Sequence, residues 1–62
     1  MKIYIDAKKS GHIYYMEKDA FMRVKINSGN IVNFRDAEEI DISKLDKKSQ
    51  QIYQKIKMEL MN

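Results

Sequence analysis

The residue types needed for catalysis are scarce in this sequence. It contains one histidine, His12, and no cysteine. A histidine activates a nucleophile or binds a metal only when suitable partners lie nearby. The sequence patterns of a nucleophile elbow, a phosphate-binding glycine loop and an HExxH metal site do not occur in it. We therefore predict that the chain is not an enzyme and uses no cofactor or metal, and that His12 opens a strand as a partly exposed structural residue.

Four acidic residues, Asp36, Glu38, Glu39 and Asp41, lie close together near the middle of the chain. Carboxylates can bind Mg²⁺ or Ca²⁺, but in an extended segment Glu38 points away from Glu39 and Asp41, and the calcium-loop pattern is absent. One interpretation is a solvated face that protects a strand edge, with some of the negative charge favoured by a helix N-terminus. The other is a binding site for a basic partner protein, formed by Glu38, Glu39 and Asp41.

A second group of residues combines basic and aromatic side chains, the combination that contacts phosphates and stacks on bases. Two of its lysines are predicted to lie in a hairpin loop, and the other residues on neighbouring strands. The net charge of +3 is modest, and no signature of a known nucleic-acid-binding motif is present. Nucleic-acid binding is therefore the alternative to protein binding, and its candidate residues are Lys8, Lys9, Tyr14, Phe21, Arg23 and Lys25.

Charge is segregated along the chain. Residues 1–25 contain six Lys or Arg and three acids, residues 26–46 contain two and five, and residues 47–62 contain four and one. The sign pattern of a surface limits which partners it attracts, whereas the net charge alone does not. The acidic segment, residues 26–46, could therefore attract a basic partner, and the two basic segments could attract an acidic one.

The elements that must position these residues are indicated by two hydrophobic periodicities. Up to about residue 42, apolar and polar residues alternate and turn signals intervene, with Gly11 and Gly29 at two of the turns. This pattern predicts two hairpins and a short fifth strand, forming an antiparallel sheet of four to five strands or an SH3-like curled barrel. The predicted strands cover residues 2–6, 12–16, 21–26, 31–34 and 39–42.

The last third of the chain has helical spacing. No Gly or Pro interrupts residues 43–61, and Ser43 followed three residues later by Asp46 predicts an N-cap at Ser43. One apolar stripe of this helix would pack on the sheet. The fold class is therefore α+β, a single domain with a β-rich part over residues 1–42 and a C-terminal helix over residues 43–61. The predicted core is Ile3, Ile5, Ile13, Tyr15, Met22, Val24, Ile26, Val32, Phe34, Ile40, Ile42, Leu45, Ile52, Ile56 and Leu60.

Size and composition favour an interaction protein over an enzyme. A chain of 62 residues has little room for a substrate cavity, but it can present the roughly 800 Å² that a standard interface takes from each partner. No segment is long and apolar enough for a signal sequence or a membrane span, and the absence of cysteine fits a cytoplasmic protein. We predict a small regulatory protein of phage or mobile-element type that binds and modulates another protein, with homodimerisation through a strand edge as a further possibility.

Overall fold

The computed structural model describes residues 3–7 and 10–61. They form an open four-stranded antiparallel sheet that packs against one C-terminal helix, which confirms the α+β fold class. The strand order in space is the same as in the sequence, and the sheet does not close into a barrel. The elements are β1 (Ile3–Asp6), β2 (His12–Glu17), β3 (Ala20–Lys25), β4 (Glu38–Glu39) and α1 (Lys47–Met61).

Two hairpins set the register of the first three strands. In the first connection, the Ser10 amide and hydroxyl both donate to the carbonyl of Asp6, at 3.0 and 3.1 Å. Gly11 follows with a φ of 70°, a conformation that glycine adopts without steric cost. The second hairpin has a two-residue loop, and Lys18 adopts a φ of 55° there. The resulting register places Tyr14 opposite both Tyr4 and Arg23.

The predicted strand over residues 31–34 does not form. Gly29 and Asn30 both have positive φ, and this left-handed pair turns the chain so that only an isolated bridge joins Val32 to Ile26. The chain then crosses the sheet and makes a 3-10 turn at Phe34–Asp36. The place beside β3 is taken instead by β4, with Glu39 opposite Met22. The predicted fifth strand is therefore the fourth, and it is shorter than expected.

The helix begins later than the sequence pattern indicates. Ser43 lies in a 3-10 turn, Ile42–Lys44, and its amide and hydroxyl donate to Asp41. The helix N-cap is Asp46, whose Oδ1 accepts a hydrogen bond from the Ser49 amide at 3.1 Å. Its carbonyl accepts the first helical hydrogen bond, from Gln50, at 3.0 Å. Both Ser43 and Asp46 have N-cap side chains, and the turn at residues 42–44 leaves only Asp46 in position to cap the helix.

Buried side chains form two clusters, one on each face of the sheet. On the helix face, α1 covers Tyr14 and Phe21 with Ile52 and Ile56. On the opposite face, here called the loop face, residues 26–37 cover the second cluster. That cluster consists of Ile13, Tyr15 and Val24, with Met22, Ile26, Val32 and Ala37 partly buried around it.

The two clusters correct part of the predicted core. Tyr14 and Phe21 are buried under the helix although the alternation placed them outside. Ile3 and Ile5 are 43% and 62% exposed, because they lie on the loop face beyond the reach of its covering segment. Ile13, Tyr14 and Tyr15 are all buried, because β2 is covered on both faces of the sheet. A strand covered on both faces has a continuous apolar run, so alternation could not predict which of these side chains would be buried. Three other residues of the predicted core are also exposed, namely Phe34, Ile42 and Leu60.

No helix within residues 3–7 and 10–61 has the length and apolar character that crossing a bilayer requires.

Candidate functional site

Two of the three predicted acidic residues line one groove beside β4. The Ile40 amide donates to the Phe21 carbonyl at 2.8 Å, so the chain stays next to β3 for one residue beyond the strand. Glu39 and Asp41 flank Ile40 and border an open groove of about 440 Å³. We call this site the acidic groove. Its lining is Asp19, Phe21, Glu39, Ile40, Asp41 and Ile42.

The lining of the acidic groove combines apolar and acidic residues. Phe21 and Ile40 belong to the cluster on the helix face, where Phe21 is almost fully buried. By its register with β3, Glu39 has its side chain on the loop face, and Asp19 and Asp41 are the other acidic residues of the lining. Negative charge beside apolar surface suits a lysine or arginine, whose side chain has an apolar stem and a cationic head.

Local hydrogen bonds fix the side chain of Asp41, one of the acidic residues that line the groove. The Oδ1 atom of Asp41 accepts from the Ser43 amide at 3.0 Å and from the Ser43 hydroxyl at 2.8 Å. Aspartate side chains commonly bond to the backbone two residues ahead in this way. The conformation of the Asp41 side chain is therefore fixed by the 3-10 turn that follows it, Ile42–Lys44.

The acidic residues of the groove do not form a metal site. In the part of the chain that the structure describes, no three His, Asp or Glu side chains are grouped so that they could hold a metal ion. Mg²⁺ and Ca²⁺ each need several oxygen ligands at about 2.0–2.6 Å.

Glu38 lies outside the acidic groove. It belongs to the helix face of the sheet, opposite Arg23, and Arg23 Nε donates to its Oε1 at 3.0 Å, with a second contact from Nη2. The hydrogen bond with Glu38 raises the pKa of Arg23 above its ordinary value, with a smaller contribution from Tyr14. The Glu38 carboxylate therefore has a cationic partner within the chain, and its role in binding another protein stays a prediction.

The predicted nucleic-acid residues are only partly assembled into a surface. Tyr14, Phe21, Arg23 and Lys25 do share the helix face, and Tyr14 lies opposite Arg23. However, Tyr14 and Phe21 are 3% and 1% exposed, so neither ring can stack on a base while α1 is in place. Arg23 is paired with Glu38, and Lys25 is exposed at the end of β3. The predicted residues Lys8 and Lys9 lie outside the described residues.

Asp19 is an acidic residue of the groove lining that was not among the residues predicted from the sequence. It lies in the two-residue loop between β2 and β3, about 20 residues from Glu39 in the chain. The turn itself can be recognised in the sequence, since it separates two apolar runs. Its position beside the acidic groove follows only from the pairing of β3 with β4.

Comparisons with protein-family models, with curated proteins and with solved structures find no match to this chain.

Proposed function

We propose that this chain is a non-enzymatic regulatory protein that binds and modulates another protein, and that the acidic groove receives a basic segment of that partner. The observation that supports this proposal is that Asp19, Glu39 and Asp41 line one groove together with Ile40 and Ile42. The three acids come from two separate segments, and Ile42 adds exposed apolar surface beside them. The phage or mobile-element origin stays a prediction from composition.

The apolar part of the lining is what distinguishes this site from an ordinary acidic surface. Exposed carboxylates alone attract cations weakly, because water and salt screen them. Ile40 is partly buried and Ile42 is 37% exposed, and both add apolar contact for the stem of an arginine or for a neighbouring apolar residue. A basic peptide with interspersed apolar residues is therefore the preferred ligand class.

A direct test uses a fluorescent peptide in which arginine and leucine alternate, titrated with the full chain in an anisotropy assay. The variant Glu39→Gln/Asp41→Asn should weaken binding by about tenfold, since each surface ion pair contributes up to about 1 kcal/mol. The charge-matched control Glu17→Gln/Asp36→Asn removes two exposed acids that do not line the groove and should retain at least half of the affinity. Equal losses in the two double variants would show that only net charge matters and would reject the groove.

The natural partner can be sought with a photo-crosslinking residue at position 42, in the lining of the acidic groove. The proposal expects crosslinks to one protein, mapping to a segment rich in Lys or Arg, that disappear in Glu39→Gln/Asp41→Asn. The capture should survive nuclease treatment. Crosslinks to nucleic acid, or capture that nuclease abolishes, would favour the alternative of nucleic-acid binding.

A further inference from the structure

In the described part of the chain, the outer edge of β1 has no neighbouring strand. The strand order places β1 at one edge of the sheet and β4 at the other, so this edge lies far from the acidic groove in the order of strands. An exposed edge presents unpaired backbone N–H and C=O groups that another strand can join. Sheet edges are used in this way for peptide recognition, where the main chain provides affinity and alternate side chains provide specificity.

The two faces of β1 differ in chemistry. Ile3 and Ile5 project on the loop face and are 43% and 62% exposed. Tyr4 and Asp6 project on the helix face, where they line a groove of about 280 Å³ against α1. We call this the edge groove, and its lining is Tyr4, Asp6, Lys48, Gln51, Ile52 and Lys55.

The edge groove is basic. Lys48 Nζ lies 3.6 Å from a carboxylate oxygen of Asp6. The negative charge of Asp6 therefore offsets part of the positive charge of Lys48. Lys55 Nζ donates to the Tyr4 hydroxyl at 3.3 Å and lies 4.9 Å from the centre of that ring. Both contacts are made with the phenol group of Tyr4 and neither with a carboxylate. An acidic side chain entering beside Tyr4 would meet this ammonium group.

From these observations we propose that β1 is a second docking site, for an extended segment of another protein in which an acidic residue is flanked by apolar residues. The segment adds to the sheet as a fifth strand. Its acidic residue, opposite Tyr4, reaches Lys55 in the edge groove, because side chains opposite one another share a face. Its two flanking residues cover Ile3 and Ile5 on the loop face. This proposal goes beyond the acidic groove and does not depend on it.

The probe is the labelled peptide Ser-Thr-Ile-Glu-Ile-Thr-Ser, titrated with the full chain. Ile5→Lys should weaken its binding more than tenfold, and Ile5→Thr, which keeps strand propensity, should also weaken it. The matched control Ile31→Lys changes another exposed isoleucine away from the edge and should bind as the original chain does. A peptide with proline in place of its central Glu should not bind, because proline cannot complete the strand pairing.

Charge exchange tests the orientation of the added strand. Lys55→Glu should lower the affinity for the peptide by at least fivefold. This variant should bind more tightly to a version of the peptide with Lys at its centre. The control Lys57→Glu alters a lysine that lies over Tyr53 instead, and it should keep the original preference. Amides of β1 should gain protection from hydrogen exchange when the peptide binds.

Three results would overturn the proposal. The first is no binding at millimolar peptide, and the second is binding without added protection in β1. The third is a dimer of this chain in sedimentation equilibrium that Ile5→Lys converts to a monomer, because a second copy would then be the occupant of the edge. Loss of peptide binding at β1 leaves the acidic groove untouched, so failure of one site can be distinguished from failure of the other.

Discussion

The two faces of the sheet are both buried near β2, but they are covered by different kinds of structure. On the helix face, a regular helix contributes Ile52 and Ile56 to a cluster with Tyr14 and Phe21. On the loop face, residues 26–37 cover Ile13, Tyr15 and Val24 with 3-10 turns and a single isolated bridge.

The difference teaches how a chain of this size divides its core. A 62-residue chain buries a smaller fraction of its unfolded surface than a larger domain does. Here the buried apolar side chains lie on both faces of a central strand. The helix has a continuous ladder of backbone hydrogen bonds, whereas the loop cover has only scattered ones, such as those from the Asn27 amide to the Ile31 carbonyl and from the Ala37 amide to the Phe34 carbonyl. The loop cover also stops short of β1 and leaves Ile3 and Ile5 exposed. The less regular face is therefore the one on which apolar side chains of β1 stay exposed.

The largest effect is expected from placing a charge under the helix. Ile56 is 1% exposed, so Ile56→Asp buries a carboxylate without a partner, which costs more than a chain of this size can tolerate. We expect no cooperative thermal transition by circular dichroism. The control Met58→Asp alters an exposed position of the same helix and should unfold cooperatively. Cooperative unfolding of Ile56→Asp would contradict the placement of α1.

A smaller effect is expected on the loop face from Phe34→Ala. The Phe34 ring packs edge-on against Tyr15 with the ring centres 5.7 Å apart, and such pairs contribute about 0.5–1.5 kcal/mol. Burial, with a smaller effect of Glu17, raises the pKa of Tyr15. Removing the Phe34 ring should therefore lower stability by about 1 kcal/mol and lower the pKa of Tyr15 toward its ordinary value. Denaturant unfolding and titration of tyrosinate absorbance measure the two effects, and an unchanged pKa would show that Phe34 does not shield Tyr15.

The same substitution on each face compares the two covers directly. Ile52 on the helix face and Ile13 on the loop face are 7% and 6% exposed. Ile→Val substitutions in cores cost about 0.5–1.5 kcal/mol, depending on how far the surroundings relax into the space. We expect a loss of about 1 kcal/mol for Ile52→Val and about 0.5 kcal/mol for Ile13→Val, because the loop cover is less constrained. Urea denaturation measures both, and a larger loss for Ile13→Val would reverse the comparison.

The smallest effect is expected at the start of the helix. Hydrogen bonds from Ser49 lower the pKa of Asp46, so the ionised carboxylate favours the folded state. Its contribution is present above the ordinary aspartate pKa and is lost as the pH falls through the lower folded value. Asp46→Ala should lower the melting temperature by a few degrees at neutral pH and remove this part of the acid sensitivity. Ser43→Ala should change neither, and a larger effect at Ser43 than at Asp46 would restore Ser43 as the cap.

Much of the fold could be predicted because local patterns determine it. The first hairpin follows from apolar runs separated by turn residues, and the helix follows from its apolar stripe without Gly or Pro. The second hairpin was predicted between residues 21–26 and 31–34, but it forms between β2 and β3. The strand predicted at residues 31–34 was wrong, because two consecutive left-handed residues redirect the chain after Asn27. The N-cap at Ser43 was wrong, because a capping side chain suits a 3-10 turn as well as an α-helix.

The candidate site could be predicted only in part. The proximity of Glu39 and Asp41 is a property of the local chain. Strand alternation places Glu38 on the opposite face of the sheet from Glu39. The ion pair of Glu38 with Arg23, however, depends on the register between β3 and β4. The arrival of Asp19 at the acidic groove depends on the same register. Neither the ion pair nor the groove has a signal in any short stretch of sequence.

By itself, the sequence determined the α+β class, the first hairpin and the amphipathic helix, since hydrogen bonding and side-chain periodicity act over a few residues. The tertiary structure decided which face of the sheet the helix covers, and therefore that Tyr14 and Phe21 are buried while Ile3 and Ile5 remain exposed. It also decided which charges meet across strands. These outcomes depend on packing between distant segments, because β2 is apolar toward both faces and its alternation cannot tell one cover from the other.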